Sequence, residues 1–135
     1  MKPKYMLDTN ICIYLMKNQP EHVAQRFAEC YVGDVVMSAI TFAELQFGIE
    51  CSGGQQTRHR KLLKELVDQV PVAPYDQDAA ISYGPLRFMA ASRQRDALDQ
   101  LIASHAIALH TTLVTNNPKD FVQFHNLQIE NWVNP

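Results

Sequence analysis

The sequence predicts an α/β fold in which helices cover both faces of a central, mostly parallel sheet of four or five strands. Short apolar segments alternate along the chain with longer segments that have the 3.6-residue periodicity of helices. The length of 135 residues and the 47% of hydrophobic side chains suit one compact domain with a buried core. We therefore expect a single domain over 1–135, since no repeat, linker or low-complexity segment divides the chain.

Five apolar segments are the candidate strands. Four have the composition of strands, and the fifth is a short extended piece between two prolines. In chain order they lie at 4–8, 35–38, 71–74, 111–115 and 127–132. The segments with helical periodicity lie at 11–16, 21–30, 41–51, 55–69, 76–91 and 98–109. Short strands separated by helices in this way imply a sheet of parallel strands joined by crossovers.

The charge and the cysteines exclude several classes of protein. A formal net charge of −2 predicts no overall attraction to nucleic acid, so any such binding depends on local patches. Cys12, Cys30 and Cys51 are odd in number and far apart, so we expect small buried side chains and neither a disulfide framework nor a zinc knuckle. No apolar run could cross a bilayer and no signal peptide is evident, which predicts a cytoplasmic protein with no membrane contact.

Asp8 ends the first predicted strand and is the first candidate for a functional residue. Sites in open parallel sheets form just beyond the carboxyl ends of the strands. The alternative is that Asp8 only caps the next helix, but Asn10 lies nearer the predicted start of that helix and could cap it instead. The position of Asp8 therefore favours a functional role.

Glu44 and Asp99 are the other two candidate acids. Glu44 follows Thr41 at the spacing of a capping box, so the residues alone support a cap and a site equally. With right-handed crossovers, Glu44 lies at the same edge of the sheet as Asp8. Asp99 is near the start of the last helix, where interaction with the helix dipole is the alternative to a site. It borders an apolar stripe made of Leu98, Leu101, Ile102, His105 and Leu109.

Polar residues also follow the predicted strand at 111–115. Thr115, Asn116, Asn117 and Asp120 supply a hydroxyl, two amides and a carboxylate where a site is expected. Mg²⁺ prefers oxygen ligands and keeps several waters, so convergence of such groups from different strand ends would favour phosphodiester hydrolysis. The alternative is a structural Asx turn before the proline that follows.

Two groups of basic residues are candidates for contact with a phosphate backbone. Arg87, Arg93 and Arg95 precede Asp99, and a second group lies at 58–64 on a predicted helix. Such groups usually form solvated helix faces, but beside an acidic metal site they would position RNA. His105 lies within the apolar stripe, so we expect a core residue and not a catalytic one.

Five segments in order along the chain carry a family resemblance. They are 6–11 (MLDTNI), 41–45 (TFAEL), 99–106 (DQLIASHA), 112–117 (TLVTNN) and 129–132 (IENW). Each segment alone is weak evidence, but the five together at this spacing are specific. They resemble the VapC toxins of the PIN-domain ribonucleases over essentially the whole chain.

The resemblance implies a three-layer α/β/α PIN fold whose acidic cluster binds Mg²⁺ or Mn²⁺ and cleaves RNA. Asp8, Glu44 and Asp99 match the three principal acids of the family, and this match resolves the ambiguity of Glu44 in favour of a catalytic and metal-binding role. The supporting residues would be Thr9, Asn10, Thr115, Asn116, Asn117 and Asp120.

Asn117 is the one departure from the acidic pattern of the family. Many PIN proteins have a fourth acid two residues after the threonine that ends the fourth strand, and Asn117 occupies that position. We therefore expect one firmly held ion, with a second dependent on the RNA.

The resemblance also implies partners. Toxins of this kind are encoded beside an antitoxin that wraps the nuclease and inserts an arginine or an aromatic side chain into the acidic pocket. They tend to form homodimers and larger toxin–antitoxin assemblies. The most similar group is associated with cleavage of initiator tRNA in the anticodon loop, which stops translation, so tRNA is the expected substrate.

Three other functions are compatible with a small α/β domain that has acids at its strand ends. A phosphoacceptor signalling domain of the receiver type usually has an acid pair after the first strand, whereas only Asp8 is found here. A phosphatase that forms an aspartyl-phosphate on Asp8 would need a second acid where Asn10 stands. An inactive antitoxin-binding module is the third, and detection of metal-dependent ribonuclease activity would exclude it.

Overall fold

The computed structural model describes residues 2–90 and 97–134. Within them the strands are β1 (Tyr5–Leu7), β2 (Val35–Ser38), β3 (Val72–Ala73), β4 (Thr112–Val114) and β5 (Gln128–Glu130). The helices are α1 (Thr9–Lys17), α2 (Glu21–Ala28), α3 (Ala39–Glu50), α4 (Gln56–Gln69), α5 (Gln77–Met89) and α6 (Ala97–Ala108). Short 3₁₀ helices lie at Gly53–Gln55 and Pro118–Asp120. No helix in these two ranges is both long and apolar enough to span a membrane.

The five strands form one sheet in the order β3-β2-β1-β4-β5, and every neighbouring pair is parallel. The prediction of a mostly parallel sheet of four or five strands is confirmed. Leu7 of β1 pairs with Met37 of β2 on one side and with Val114 of β4 on the other. The next residues of these strands, Asp8, Ser38 and Thr115, therefore form one polar row at the carboxyl edge of the sheet.

Helices pack on both faces of the sheet because consecutive side chains of a strand point in opposite directions. Leu7 packs in one core cluster with residues of α1 to α4, including Ile11 and Leu45. Met6 packs in a second cluster with residues of α5 and α6, including Leu86 and Ile102. The three-layer α/β/α arrangement implied by the family resemblance is confirmed.

Two predicted helix starts are wrong, and both errors have the same cause. Helix α3 begins at Ala39, with Ser38 as its N-cap accepting a hydrogen bond from the Ile40 amide at 3.0 Å. Thr41 is therefore inside the helix and forms no capping box with Glu44. Helix α1 begins at Thr9 and is capped by Asp8, not by Asn10. In both places the strand passes directly into the helix, so the residue at the strand end is also the cap.

The apolar stripe predicted for the last helix is only partly right. Leu98 is 48% exposed, whereas Gln100 and Ser104 are buried in α6. Since α6 contacts the sheet, α3 and α5, it is buried on more sides than a single stripe describes. The prediction for the cysteines also holds in part, because Cys12 is buried but Cys51 is exposed.

Candidate active site

Asp8 lies at the start of α1, where the carboxyl end of β1 meets that helix. Its side chain is 7% exposed and accepts a hydrogen bond from the Ile11 amide at 3.0 Å. The fully buried Thr115 hydroxyl makes a second hydrogen bond to the carboxylate. The Asp8 amide donates to the Val114 carbonyl at 3.0 Å. These bonds hold the carboxylate in one orientation, so Asp8 is both a helix cap and a candidate ligand.

The electrostatic environment of Asp8 favours a cation beside it. Burial raises the pKa of Asp8 from 3.8 to about 6, although the hydrogen bonds from Thr115 and the Ile11 amide lower it. The negative charge of Glu44 raises it further. None of the ion pairs formed within 2–90 and 97–134 includes Asp8. A buried carboxylate with an acidic neighbour and no cationic partner is costly at neutral pH, and a bound cation would offset that cost.

Glu44 lies on α3 near the carboxyl edge of the sheet and is held there by Thr9, the residue that follows Asp8. Its Oε1 accepts a hydrogen bond from the Thr9 hydroxyl at 2.5 Å. The Thr9 hydroxyl also lies 3.5 Å from that of Thr41, which is fully buried. Glu44 itself is partly exposed. The structure therefore places Glu44 next to Asp8, as expected from right-handed crossovers.

Asp99 lies in the first turn of α6 and is partly buried. Only residues 109–111 separate the end of α6 from β4, so α6 runs antiparallel to the strands. Its first turn is therefore directed to the carboxyl edge, the same edge as Asp8. Among residues 2–90 and 97–134, no three His, Cys, Asp or Glu side chains are close enough to hold a metal ion together. The structure thus pairs Asp8 with Glu44 and places Asp99 at their edge of the sheet.

The supporting residues differ in how close they come to the acids. Thr115 contacts Asp8, and its hydroxyl accepts a hydrogen bond from the Asn117 amide at 3.0 Å. The Asn116 side chain instead faces Tyr14 and Asn131, with hydrogen bonds of 3.5 and 3.4 Å.

Three of the predicted supporting residues present no side-chain link to the acidic pair. Asn10 and Asn117 have exposed side chains. Asp120 lies in the 3₁₀ helix at 118–120, and within the described ranges no hydrogen bond or ion pair joins it to Asp8 or Glu44. Of the four polar residues after β4, Thr115 is therefore the one whose side chain hydrogen-bonds to one of the acids, Asp8.

The predicted RNA-binding arginines are only partly visible. Arg87 is exposed on α5, where its guanidinium carbon lies 5.8 Å from the centroid of the Tyr83 ring and its Nη1 donates to the Tyr83 hydroxyl at 3.0 Å. Arg93 and Arg95 lie outside the residues that the structure describes. The basic group at 58–64 lies on α4, where Arg60 forms an ion pair with Glu50 at 2.7 Å.

Two polar residues near the acids were missed by reasoning from the sequence. Thr41 was assigned to a capping box but is a buried neighbour of Thr9. Ser38 was assigned no role but caps α3 and hydrogen-bonds to His105 of α6 at 2.7 Å. The position of Ser38 at the end of an apolar strand, directly before a helix, is the feature of the sequence that indicates a helix cap there.

The side chains at this edge fit a hard divalent cation. Asp8, Glu44 and Asp99 offer carboxylates, and Thr9 and Thr115 offer hydroxyls, so oxygen is the donor element throughout. Oxygen ligands with room for water suit Mg²⁺ or Mn²⁺ and do not suit a thiolate-preferring metal. The buried carboxylate of Asp8 supplies the negative charge such an ion requires.

Comparisons with known proteins identify the family to which the chain belongs. The PIN domain family matches residues 5–126. The tRNA(fMet)-specific endonuclease VapC of Salmonella typhimurium is 36% identical over 131 residues, covering 96% of this chain and 98% of that protein. Ribonuclease VapC2 of Rickettsia felis is 35% identical over 133 residues, covering 95% and 97%.

A solved structure shows the same fold. The crystal structure of VapBC2 from Rickettsia felis, bound to a DNA fragment from their promoter, contains a chain that superimposes with a TM-score of 0.82. That chain is 34% identical, and the match covers 95% of this chain and 98% of that one. By sequence, by family match and by fold, this chain belongs to the PIN-domain family, in its VapC group.

Proposed function

We propose that this protein is the ribonuclease toxin of a type II toxin–antitoxin pair and hydrolyses RNA phosphodiester bonds with the help of Mg²⁺ or Mn²⁺. The observation that carries the proposal is the buried Asp8 carboxylate, which lies beside Glu44 and forms no ion pair within residues 2–90 and 97–134. Relatives that cover nearly the whole chain are named ribonucleases. The receiver-type and phosphatase alternatives have no comparable support, since Asn10 provides no second acid and its side chain is exposed.

The chain's own residues would divide the work as follows. Asp8 and Asp99 would ligate the ion directly, and Glu44 would bind it directly or through a water. Thr115 and the Ile11 amide hold the Asp8 carboxylate in place, and Thr9 holds that of Glu44. A bound divalent cation would lower the pKa of the attacking water and offset the charge that develops on the phosphate. These side chains contribute orientation and negative charge, which are what a hard cation requires.

We propose initiator tRNA, cut in the anticodon loop, as the substrate, with arrest of translation in the cytoplasm as the result. Two relatives at 36% and 37% identity are named tRNA(fMet)-specific endonucleases. Exposed loops are the part of RNA that protein side chains can contact at the bases. Arg87, together with Arg93 and Arg95, would bind the phosphates that flank the cleaved bond.

Mapping of RNA 3′ ends after brief expression of the protein tests this substrate. The expected result is a new 3′ end in the anticodon loop of initiator tRNA, absent when Asp8→Asn is expressed instead. New ends confined to other RNAs would refute initiator tRNA while leaving ribonuclease activity intact. No new ends in any RNA, with soluble protein present, would refute the nuclease itself.

We propose a VapB-like antitoxin as the physiological partner, with a toxin homodimer inside a larger toxin–antitoxin assembly. The similar Rickettsia felis chain was solved as VapBC2. A short reading frame directly upstream, with a DNA-binding amino-terminal half, should encode the partner. Co-expression of the two followed by light scattering should give one complex with at least two toxin chains, and separate elution of two monomers would contradict this.

Asn117→Asp is predicted to add a firmly held second ion. Asn117 stands next to Asn116 and two residues after Thr115, and its side chain is exposed, so an added carboxylate can reach the edge of the site without disturbing the core. We expect calorimetric titration with Mn²⁺ to give one site in the wild type and two in Asn117→Asp. Unchanged stoichiometry in the variant would contradict the role of this position.

A further inference from the structure

One buried hydrogen bond joins the two helices that carry Glu44 and Asp99. Ser38 ends β2, caps α3 and is fully buried. His105 lies on α6 and is 1% exposed. The Ser38 Oγ and the His105 Nδ1 are 2.7 Å apart, a short distance for a hydrogen bond of this type. Ser38 also belongs to the polar row at the carboxyl edge, directly beside Asp8.

The Ser38 hydroxyl takes part in two hydrogen bonds, one with α3 and one with α6. Ser38 Oγ already accepts a hydrogen bond from the Ile40 amide at 3.0 Å. A serine hydroxyl can accept two hydrogen bonds and donate one, so the Ser38–His105 hydrogen bond forms with either tautomer of the imidazole. The serine thus links the first turn of α3 to the middle of α6 through one oxygen atom.

The surroundings of His105 keep its ring in one orientation. Tyr75 packs edge-on against the imidazole, with ring centroids 5.2 Å apart and planes at 77°. The Tyr75 hydroxyl is in turn held by Ser104 Oγ at 2.8 Å, and Ser104 Oγ donates to the Leu101 carbonyl at 2.8 Å. The imidazole is therefore a fixed point on α6 and not a freely rotating group.

The Ser38–His105 contact is equally far along the chain from Glu44 on α3 and from Asp99 on α6. Glu44 is six residues after Ser38 on α3, and Asp99 is six residues before His105 on α6. Six residues of helix span about 9 Å. A tilt of either helix about the contact therefore moves the acid on that helix sideways, and at this distance a tilt of about 6° moves it by about 1 Å. Misplacement of a catalytic group by about 1 Å can cost about 100-fold in rate.

We propose that the Ser38–His105 hydrogen bond is a positioning contact that sets the separation of Glu44 from Asp99. His105 is a positioning residue and touches neither substrate nor ion. This role rests on the proposed nuclease function, because it concerns the placement of the acids of that site. It gives the buried histidine, expected from the sequence to be only a core residue, a specific part in the geometry of the site.

The test compares three purified variants with the wild type in RNA cleavage at saturating Mg²⁺. His105→Leu removes the polar atom that bonds to Ser38 and largely keeps the volume, whereas His105→Asn keeps a hydrogen-bonding group where Nδ1 stands. Thr111→Val is the matched control, since it removes a buried hydrogen bond from Thr111 Oγ1 to the Ala106 carbonyl at 3.1 Å, which lies at the carboxyl end of α6 and does not join α6 to α3. Each protein is also melted with and without Mg²⁺, which gives a readout independent of activity.

We expect His105→Leu to lower kcat about 10- to 100-fold, with the KM for RNA unchanged and a smaller increase of Tm on addition of Mg²⁺. His105→Asn should keep most of the wild-type kcat and most of the wild-type Tm increase on addition of Mg²⁺. Thr111→Val should lower the metal-free Tm but keep the wild-type kcat and Mg²⁺ response. If His105→Leu does not fold, Ser38→Ala replaces it, because Ser38→Ala removes the same contact and keeps the ring. It also removes the N-cap of α3, and the metal-free Tm measures that separate loss.

Wild-type kcat and Mg²⁺ response in His105→Leu would overturn the positioning role, and so would an equal loss of kcat in Thr111→Val. These outcomes differ from failure of the proposed function, in which the wild type itself would not cleave RNA.

Discussion

Asp8→Asn is expected to abolish RNA cleavage and, in the metal-free protein at neutral pH, to increase stability. The asparagine keeps the shape of the side chain and an oxygen that can accept the Ile11 amide hydrogen bond. It removes the charge that would hold the cation. Because a bound metal contributes several kcal/mol to stabilisation of the transition state, the single-turnover rate should fall by at least about 100-fold.

The stability effect follows from the pKa of Asp8, which burial raises from 3.8 to about 6. The folded protein binds this proton more tightly than the unfolded chain does. Stability is therefore lost as the pH rises from about 4 to about 6, by up to about 3 kcal/mol from this group, and does not return at higher pH. Asp8→Asn lacks the ionisation, so it should exceed the wild type in stability at pH 7.

Urea unfolding in the presence of a chelator measures this difference. The gain of Asp8→Asn over the wild type should be largest near pH 7 and should shrink towards pH 4. Asp68→Asn, a substitution on the exposed face of α4, serves as the control and should show no such trend. A wild type that is more stable than Asp8→Asn at pH 7 without metal would contradict the electrostatic cost assigned to Asp8.

Asp99→Asn is the second substitution with a large expected effect. It should lower the cleavage rate by at least about 100-fold and remove toxicity in cells, because one of the two direct ligands would lose its charge. The fold should remain intact, since the change is nearly isosteric and Asp99 is only partly buried. Loss of the favourable interaction with the start of α6 should cost about 0.3–1 kcal/mol.

Cleavage rates and urea unfolding of purified Asp99→Asn, measured beside Asp68→Asn, separate these two effects. Asp68→Asn should match the wild type in both. Full activity of purified Asp99→Asn would show that Asp99 is not a ligand of the catalytic ion. Loss of activity together with loss of folding would show that its role is structural.

Much of the fold could be predicted because local patterns determine it. Apolar strands that alternate with helices leave few arrangements other than a parallel sheet covered on both faces. Asp8 could be predicted for a related reason, since the end of a strand is visible in the sequence and parallel sheets bring such ends together. The helix starts could not be predicted, because two residues that make good caps lie near the start of α1 and two lie near the start of α3. These are Asp8 and Asn10 for α1, and Ser38 and Thr41 for α3, and only the length of the preceding strand decides between them.

The contacts among the site residues were beyond the reach of the sequence. Thr9 holds Glu44 across 35 residues, and Ser38 holds His105 across 67. Such pairs depend on the order β3-β2-β1-β4-β5, which brings β2 and α6 together although β3 and α5 lie between them in the chain. The Thr41–Glu44 spacing matched a capping box equally well, so family resemblance and not local pattern identified the role of Glu44.

Metal titration of RNA cleavage tests the central claim most directly. After treatment with a chelator, the wild type should not cleave RNA, and addition of Mg²⁺ or Mn²⁺ should restore cleavage, whereas Asp8→Asn should remain inactive at every concentration of either ion. Cleavage by the chelated wild type at its full rate, or restoration of Asp8→Asn to the wild-type rate by added metal, would contradict a metal site built on Asp8.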